Sequence, residues 1–241
     1  HVPCTCTPSV ALQATDGVQV HGTWTRAAVA NDRIVLLFHQ ARANRHEYDA
    51  VVPALTKLGF DTLAIDQRSG GDLFGGRNQT VAMLGKSADY IDAMPDLEAA
   101  LAWAQTRDYK RIVTVGSSYS SALVIVLAAH HPDAVSAVAS FSPGEYFKDK
   151  NWIKNAAAKV GVPFYITTDP DEETSVSEVL SKAHGDNITH YKPDHGVHGA
   201  STLVQSRDPK GYKANLQSFL DFLRPIAAGA VPAESKNEAE R

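Results

Sequence analysis

Cysteine is almost absent from this sequence of 241 residues, and it occurs only as Cys4 and Cys6. A bridge between positions two apart would close a very small, strained ring, so it could not stabilise the fold by restricting the unfolded chain. With His1, the two thiols also lack the second ligand pair of a structural zinc site, and we predict no metal. We interpret residues 1–9 as an N-terminal tail. The first residue is not methionine, which favours a secreted or periplasmic protein that has lost its leader.

Long hydrophobic runs and clusters of basic residues are also missing. The longest uninterrupted apolar stretch, residues 122–129, is far shorter than the roughly 20 residues that a membrane-spanning helix needs. The 23 Lys and Arg and the 27 Asp and Glu are dispersed, with a net charge of −4, so no basic stripe is present to neutralise phosphates. We therefore expect neither a membrane nor a nucleic acid as a partner. The sequence does not predict an oligomeric state.

The sequence does contain a regular alternation of strand-like and helix-like segments. Its hydrophobic content of 44% is enough for a single core, which we place at residues 10–225, with a disordered tail at 226–241. Asp16-Gly17 is typical of a tight hairpin turn between two opening strands. The pattern predicts an α/β fold with a mostly parallel sheet, an antiparallel N-terminal hairpin, helices on both faces and no large lid domain. The predicted strands are 10–15, 18–25, 34–38, 62–65, 111–115, 135–141, 162–167 and 188–191. The predicted helices are 48–58, 90–106, 122–129, 152–160, 176–184 and 216–223.

One segment combines a strand, a sharp turn and a helix around a serine. A β-branched run leads into Gly116-Ser117-Ser118-Tyr119-Ser120, and an apolar helical stretch follows at once. A serine at the apex of such a turn presents its hydroxyl to a cleft, and the next backbone N–H points to the same place. The pattern predicts a nucleophile elbow with Ser118 as the nucleophile. A serine-rich loop without catalytic function is the alternative.

A serine nucleophile needs a base and an acid, and the later loops supply candidates for both. After the last predicted strand, the sequence offers His195 and His198. We favour His198 as the base because Gly199 leaves room beside its ring, and His195 is the second choice. The acid should follow the strand at 162–167, where the run 169–173 holds four carboxylates. Strand-end geometry alone would favour Asp169.

The chemistry also needs two hydrogen-bond donors for the oxyanion that forms on the substrate. We predict the backbone N–H of Tyr119 as one donor and that of Gln40, which follows the strand at 34–38, as the other. We place four further side chains as possible substrate-binding residues. They are His39, Tyr146, Phe147 and Trp152.

With these motifs in place, the sequence resembles the α/β-hydrolases, and within them the small dienelactone-hydrolase-like esterases. The resemblance spans about residues 10–223. In such hydrolases the acid commonly lies nine residues after a proline that begins the strand; counted from Pro163, this implies Glu172, with Asp171 and Asp169 as alternates. Ser118 stands where true dienelactone hydrolases have cysteine, which favours a general ester as substrate. The motifs of the resemblance are residues 36–40, 66–71, 116–120, 142–147 and 196–199.

These observations predict a serine hydrolase that cleaves carboxylic esters through an acyl-enzyme and needs no cofactor or metal. The substrate would be a small-molecule ester or, because the cleft should be open, a polymeric one. Lactone, thioester and peptide hydrolysis use the same acyl-transfer apparatus and stay open as alternatives. A binding protein that retains the fold without the chemistry is the remaining alternative.

Overall fold

The computed structural model describes residues 8–229, which form an eight-stranded sheet covered by helices. The predictions for Cys4, Cys6, residues 1–7 and residues 230–241 lie outside this range. The sheet order is β1-β2-β4-β3-β5-β6-β7-β8; β1 and β2 pair antiparallel, β2 joins β4 antiparallel, and all other pairs are parallel. The predicted fold class is therefore confirmed. The strands are β1 Ser9–Gln13, β2 Gln19–Thr25, β3 Arg33–Phe38, β4 Asp61–Ile65, β5 Arg111–Ser117, β6 Ala137–Phe141, β7 Phe164–Thr167 and β8 Ile188–Tyr191.

Seven α-helices cover both faces of the sheet within the described residues. Alternate residues of β3 show the division, because Leu36 packs into the core cluster on one face and Leu37 into the cluster on the other. The larger cluster includes residues of α3, α4, α5 and α6, and the smaller one includes residues of α1 and α7. The helices are α1 Val52–Leu58, α2 Gln79–Leu84, α3 Met94–Thr106, α4 Tyr119–His130, α5 Trp152–Ala157, α6 Glu173–Val179 and α7 Tyr212–Ala228.

The C-terminal boundary of the predicted domain is wrong by a few residues. We predicted a helix at 216–223 and disorder after Pro225, whereas α7 continues through Pro225 to Ala228. The guanidinium of Arg111 donates to the carbonyls of Ile226 and Ala227. This contact satisfies backbone oxygens at the helix end that would otherwise have no protein partner.

One helix was missed, and another predicted helix is divided in two. Helix α2 was missed because it has only six residues; Asn78 caps it by accepting a hydrogen bond from the N–H of Val81 at 2.9 Å. The predicted helix at 90–106 is divided into a short 3-10 turn, Tyr90–Ala93, and α3, with Pro95 in the first turn of α3. Proline is favoured there because the N–H that it lacks would have no helical partner.

The carboxyl ends of the parallel strands lie at one edge of the sheet, and the loops that follow β3, β5, β7 and β8 meet there. In open α/β sheets, ligands bind at this edge. No helix within residues 8–229 is long and apolar enough to cross a bilayer. The same part of the chain contains no group of three or more His, Cys, Asp or Glu side chains arranged to hold a metal.

Candidate active site

Ser118 lies at a sharp turn between β5 and α4. Its backbone has φ 57° and ψ −121°, a region that a non-glycine residue adopts only when the surrounding structure enforces it. Ser118 N–H donates to the carbonyl of Phe141 at 2.9 Å, and its own carbonyl accepts from Ser121 N–H at 2.9 Å. These bonds on both sides of the apex hold the strained backbone, and the side chain points into the loop cluster.

Gly116 makes the tight turn possible because the start of α4 passes directly over it. A Cβ at this position would lie 2.3 Å from the carbonyl oxygen of Ser120 and 2.6 Å from the nitrogen of Ser121, and both are backbone atoms. Residue 116 must therefore lack a side chain.

We expect Gly116→Ala to destabilise the protein by about 1–3 kcal/mol, since overpacking at a rigid site costs this much. Gly161→Ala is the matched control, because a Cβ there meets no atom within 4 Å and the residue is exposed. Chemical denaturation of both variants measures the difference. Equal stability of the two variants would contradict the close approach at Gly116.

Ser118, His198 and Glu172 form a continuous hydrogen-bonded series. Ser118 Oγ lies 2.8 Å from His198 Nε2, and His198 Nδ1 lies 2.9 and 3.0 Å from the two carboxylate oxygens of Glu172. Nδ1–H donates to the carboxylate, so the lone pair of Nε2 faces the serine hydroxyl. The side chains of His198 and Glu172 are 39% and 35% exposed, so the series lies at an open surface rather than in a closed cavity.

The alternative candidates for the acid and the base do not take part in this series of hydrogen bonds. The Asp169 carboxylate accepts from the N–H of Asp171 at 3.0 Å and caps its own turn, and the Asp171 side chain is exposed. His195 is also exposed, and its carbonyl accepts from Asn215 Nδ2 at 2.9 Å. Among the candidates, His198 contacts Ser118 and Glu172 contacts His198.

The prediction for Gln40 requires a correction. Its backbone N–H already donates to the buried carboxylate of Glu47, with N and Oε1 2.7 Å apart, and is not free for a substrate oxygen. The next residue, Ala41, has a backbone N–H that makes no hydrogen bond among the described residues. Tyr119 is the first residue of α4, where a backbone N–H has no partner within the helix.

His39 was predicted to bind substrate, and this is wrong, because its side chain is fully buried. Its Nδ1 lies 2.8 Å from the carbonyl of Gln40, and its Nε2 accepts from the N–H of Gln67 at 2.8 Å. Burial lowers the pKa of His39 to about 4, although the contact with the Gln40 carbonyl opposes this shift. The neutral ring therefore joins the loops that follow β3 and β4.

Of the three predicted aromatic residues, Tyr146 lies beside Ser118. Phe147 is buried in the larger core cluster, so its assignment to substrate binding is wrong. It packs edge-to-face on Trp152 at 4.9 Å, and because Trp152 is only partly buried, its assignment to substrate binding stays a prediction. Tyr146 is half-buried, and its hydroxyl donates to the carbonyl of Ser142 at 2.6 Å. Burial raises the pKa of Tyr146 to about 12, and an interaction with the Ser118 hydroxyl partly opposes this effect.

The sequence analysis missed two residues at this site. Tyr90 stacks on Tyr119 with ring centroids 4.6 Å apart and remains 39% exposed, so it forms part of the rim. Glu47 lies fully buried beneath the loop, within hydrogen-bonding distance of Ser117. A glutamate between an apolar strand and an apolar helix was the sequence signal available for Glu47, but no equivalent signal marked Tyr90.

Comparison with protein families identifies the fold. Residues 33–160, more than half of the chain, match the model of the alpha/beta hydrolase fold. The chain belongs to the α/β-hydrolase family. The resemblance that the sequence motifs suggested is thereby confirmed at the level of the family. No match to this α/β hydrolase was found among proteins of curated function.

Several solved structures are similar to this α/β hydrolase. The esterase Pf2001 of Pyrococcus furiosus shares 19% identity and a TM-score of 0.70, with 91% of this chain and 92% of that chain covered. Est1E of Butyrivibrio proteoclasticus, solved with ferulic acid, shares 14% identity and a TM-score of 0.69, with coverage of 91% and 100%. A dienelactone hydrolase of Anabaena variabilis shares 18% identity and a TM-score of 0.67, with coverage of 90% and 95%. At these identities the likeness shows a common fold.

Proposed function

We propose that the protein is a serine hydrolase that cleaves carboxylic esters through an acyl-enzyme intermediate. The hydrogen-bonded series from Ser118 through His198 to Glu172, with the serine at a strained elbow, is the observation that carries this proposal. A serine hydroxyl is a weak nucleophile at neutral pH and requires an adjacent base. The 2.8 Å contact with Nε2 provides that base.

In the first half of the reaction, Ser118 Oγ attacks the ester carbonyl while its proton moves to His198 Nε2. The ring becomes an imidazolium, which the Glu172 carboxylate stabilises from the other side. The tetrahedral intermediate then collapses, the bond to the alcohol oxygen breaks, and Nε2–H protonates the departing alcohol. The acyl group remains on Ser118.

In the second half, water replaces the alcohol. His198 Nε2 takes a proton from the water, whose oxygen attacks the acyl carbonyl, and the same proton then returns to Ser118 Oγ as the carboxylic acid leaves. The exposed imidazole gives water direct access to the acyl-enzyme. Every proton thus passes through one nitrogen.

The oxyanion of both tetrahedral intermediates requires two donors. The N–H groups of Tyr119 and Ala41 are the candidates, because Tyr119 directly follows Ser118, Ala41 lies in the loop after β3, and neither N–H has a partner among the described residues. Removal of one such donor typically costs about 2.7–4 kcal/mol of barrier. We therefore assign the second donor to Ala41 in place of Gln40.

The open site supports a substrate that is either a small ester or part of a polymer. Tyr90 and Tyr146 provide an aromatic rim on which an acyl or alcohol group can pack. The similarity to structures of esterases favours esters over the lactones, thioesters and peptides that the same machinery could attack.

A fluorophosphonate probe tests the proposal, since it reacts covalently only with an activated serine. We expect one label per chain, mapped to Ser118 by peptide mass spectrometry, and hydrolysis of a short-chain chromogenic ester that the label abolishes. A folded protein that neither takes the label nor hydrolyses the ester would be a binding protein with a retained fold. A label on another serine would equally contradict the proposal.

A further inference from the structure

Glu47 is a buried carboxyl group that contacts two of the loops that build the active site. Its Oε1 accepts from the backbone N–H of Gln40 at 2.7 Å, and its Oε2 accepts from the hydroxyl of Ser117 at 2.6 Å. Gln40 precedes the proposed oxyanion donor at Ala41, and Ser117 precedes the nucleophile. The carboxylate therefore fixes the residues directly before both groups.

The loop that contains His198 is bonded to Ser117 as well. The N–H of Ala200 donates to Ser117 Oγ at 2.9 Å, and Ala200 lies two residues after His198. Gly199 between them has φ +74°, and a Cβ there would lie 2.5 Å from Ser117 Oγ and 2.8 Å from Gln40 Oε1. The three loops thus meet beneath the active site with no space left between them.

We propose that Glu47 is a positioning residue. Its ionised carboxylate holds together the loop after β3, the turn at Ser118 and the loop that contains His198, and its protonation disorders the site. The proposal rests on the proposed esterase function. An ionised carboxylate only accepts hydrogen bonds, as both contacts require. A protonated carboxyl must also donate one hydrogen bond. The backbone N–H of Gln40 can only donate, so protonation of Glu47 must change the hydrogen bond with Ser117.

The charged groups around Glu47 allow this switch to operate near neutral pH. Burial raises the pKa of Glu47 to about 7, and the bonds from Ser117 and Gln40, the positive charge of Arg207 and, when its ring is protonated, that of His198 oppose the rise. Arg207 Nη1 also donates to the Glu47 carbonyl at 2.8 Å. The neighbouring phenol of Tyr48 is neutral, because burial and Glu47 hold its pKa well above the ordinary value.

The test compares the rate of fluorophosphonate labelling between pH 5 and 9 in wild type, Glu47→Gln and Ser117→Ala. In wild type the rate should fall as pH drops through about 7. Glu47→Gln removes the titrating group, so the acid limb should move to lower pH, and the plateau rate should fall about 10- to 100-fold through misalignment. Ser117→Ala removes a hydroxyl that lowers the pKa of Glu47, so its acid limb should move to higher pH.

Asp61→Asn is the matched control. Asp61 is a buried carboxylate at the start of β4, the end of that strand away from the active site, and it accepts hydrogen bonds from Tyr109 and Asn31. Its pH profile should match that of wild type. The inference is overturned if Glu47→Gln and wild type have superimposable profiles, or if Asp61→Asn shifts the profile equally. If wild type takes no label at any pH, the proposed function fails instead.

A second measurement needs no activity and separates the two failures. A carboxyl whose folded pKa lies above its unfolded value of 4.5 stabilises the fold most below pH 4.5, and this contribution is lost as pH rises through about 7. The difference in melting temperature, wild type minus Glu47→Gln, should therefore decrease as the pH rises from 4.5 to 7. A constant difference would show that Glu47 does not titrate in this range and would overturn the inference.

Discussion

Ser118→Ala should lower the turnover of a chromogenic ester by roughly a millionfold, to the level of the reaction catalysed by binding and oxyanion contacts alone. The reason is that no other hydroxyl takes the place of Ser118 beside His198 Nε2, from which its oxygen is 2.8 Å away. The fold should persist, because the backbone bonds of residue 118 involve only its N–H and carbonyl. Steady-state kinetics of purified variant and wild type measure the loss.

Ser177→Ala is the matched control for this substitution, because Ser177 is an exposed serine in α6. Its turnover should equal that of wild type. A Ser118→Ala variant that keeps wild-type turnover while Ser177→Ala does the same would refute the nucleophile assignment.

Glu172→Gln should lower kcat by about 10⁴-fold, the second largest effect that we expect. The amide can accept from His198 Nδ1–H through its oxygen, but it carries no charge to stabilise the imidazolium and it can also stabilise the wrong tautomer of the ring. KM should change little, since Glu172 contacts the imidazole and Thr168 rather than the serine. Measurement of kcat and KM on the same ester separates these effects.

The neighbouring carboxylate provides the control for the choice of acid. Asp171→Asn removes an exposed charge one residue away from Glu172 and should leave kcat within about twofold of wild type, as is usual for surface substitutions. A large loss in Asp171→Asn together with a small loss in Glu172→Gln would reverse the assignment. Both variants should be stable enough to assay.

The fold was predictable from the sequence because its signals are local and repeated. Buried parallel strands have continuous apolar runs, and Asp16-Gly17 marks the turn of the antiparallel hairpin. Helix α2 and the last turn of α7 were not predictable in this way. Helix α2 has only six residues, too few for a clear helical stripe, and the last turn of α7 depends on a contact with Arg111, which is far away in sequence.

The site was predictable only where its residues follow a motif. Ser118 and His198 stand in patterns that place them at strand ends, and the structure brings these side chains together. The occupied N–H of Gln40 could not be inferred, because it depends on the side chain of Glu47, seven residues later and buried. The burial of His39 and Phe147 likewise depends on packing between distant segments.

The sheet order has a thermodynamic consequence for catalysis. The loop of His198 follows β8, a strand of four residues at the edge of the sheet that pairs only with β7, whereas Ser118 follows the central β5. Edge segments with few buried contacts open at a lower free-energy cost than central ones. We therefore expect this edge to open before the central strands do, so that the proposed activity is lost at a lower temperature than the fold as a whole.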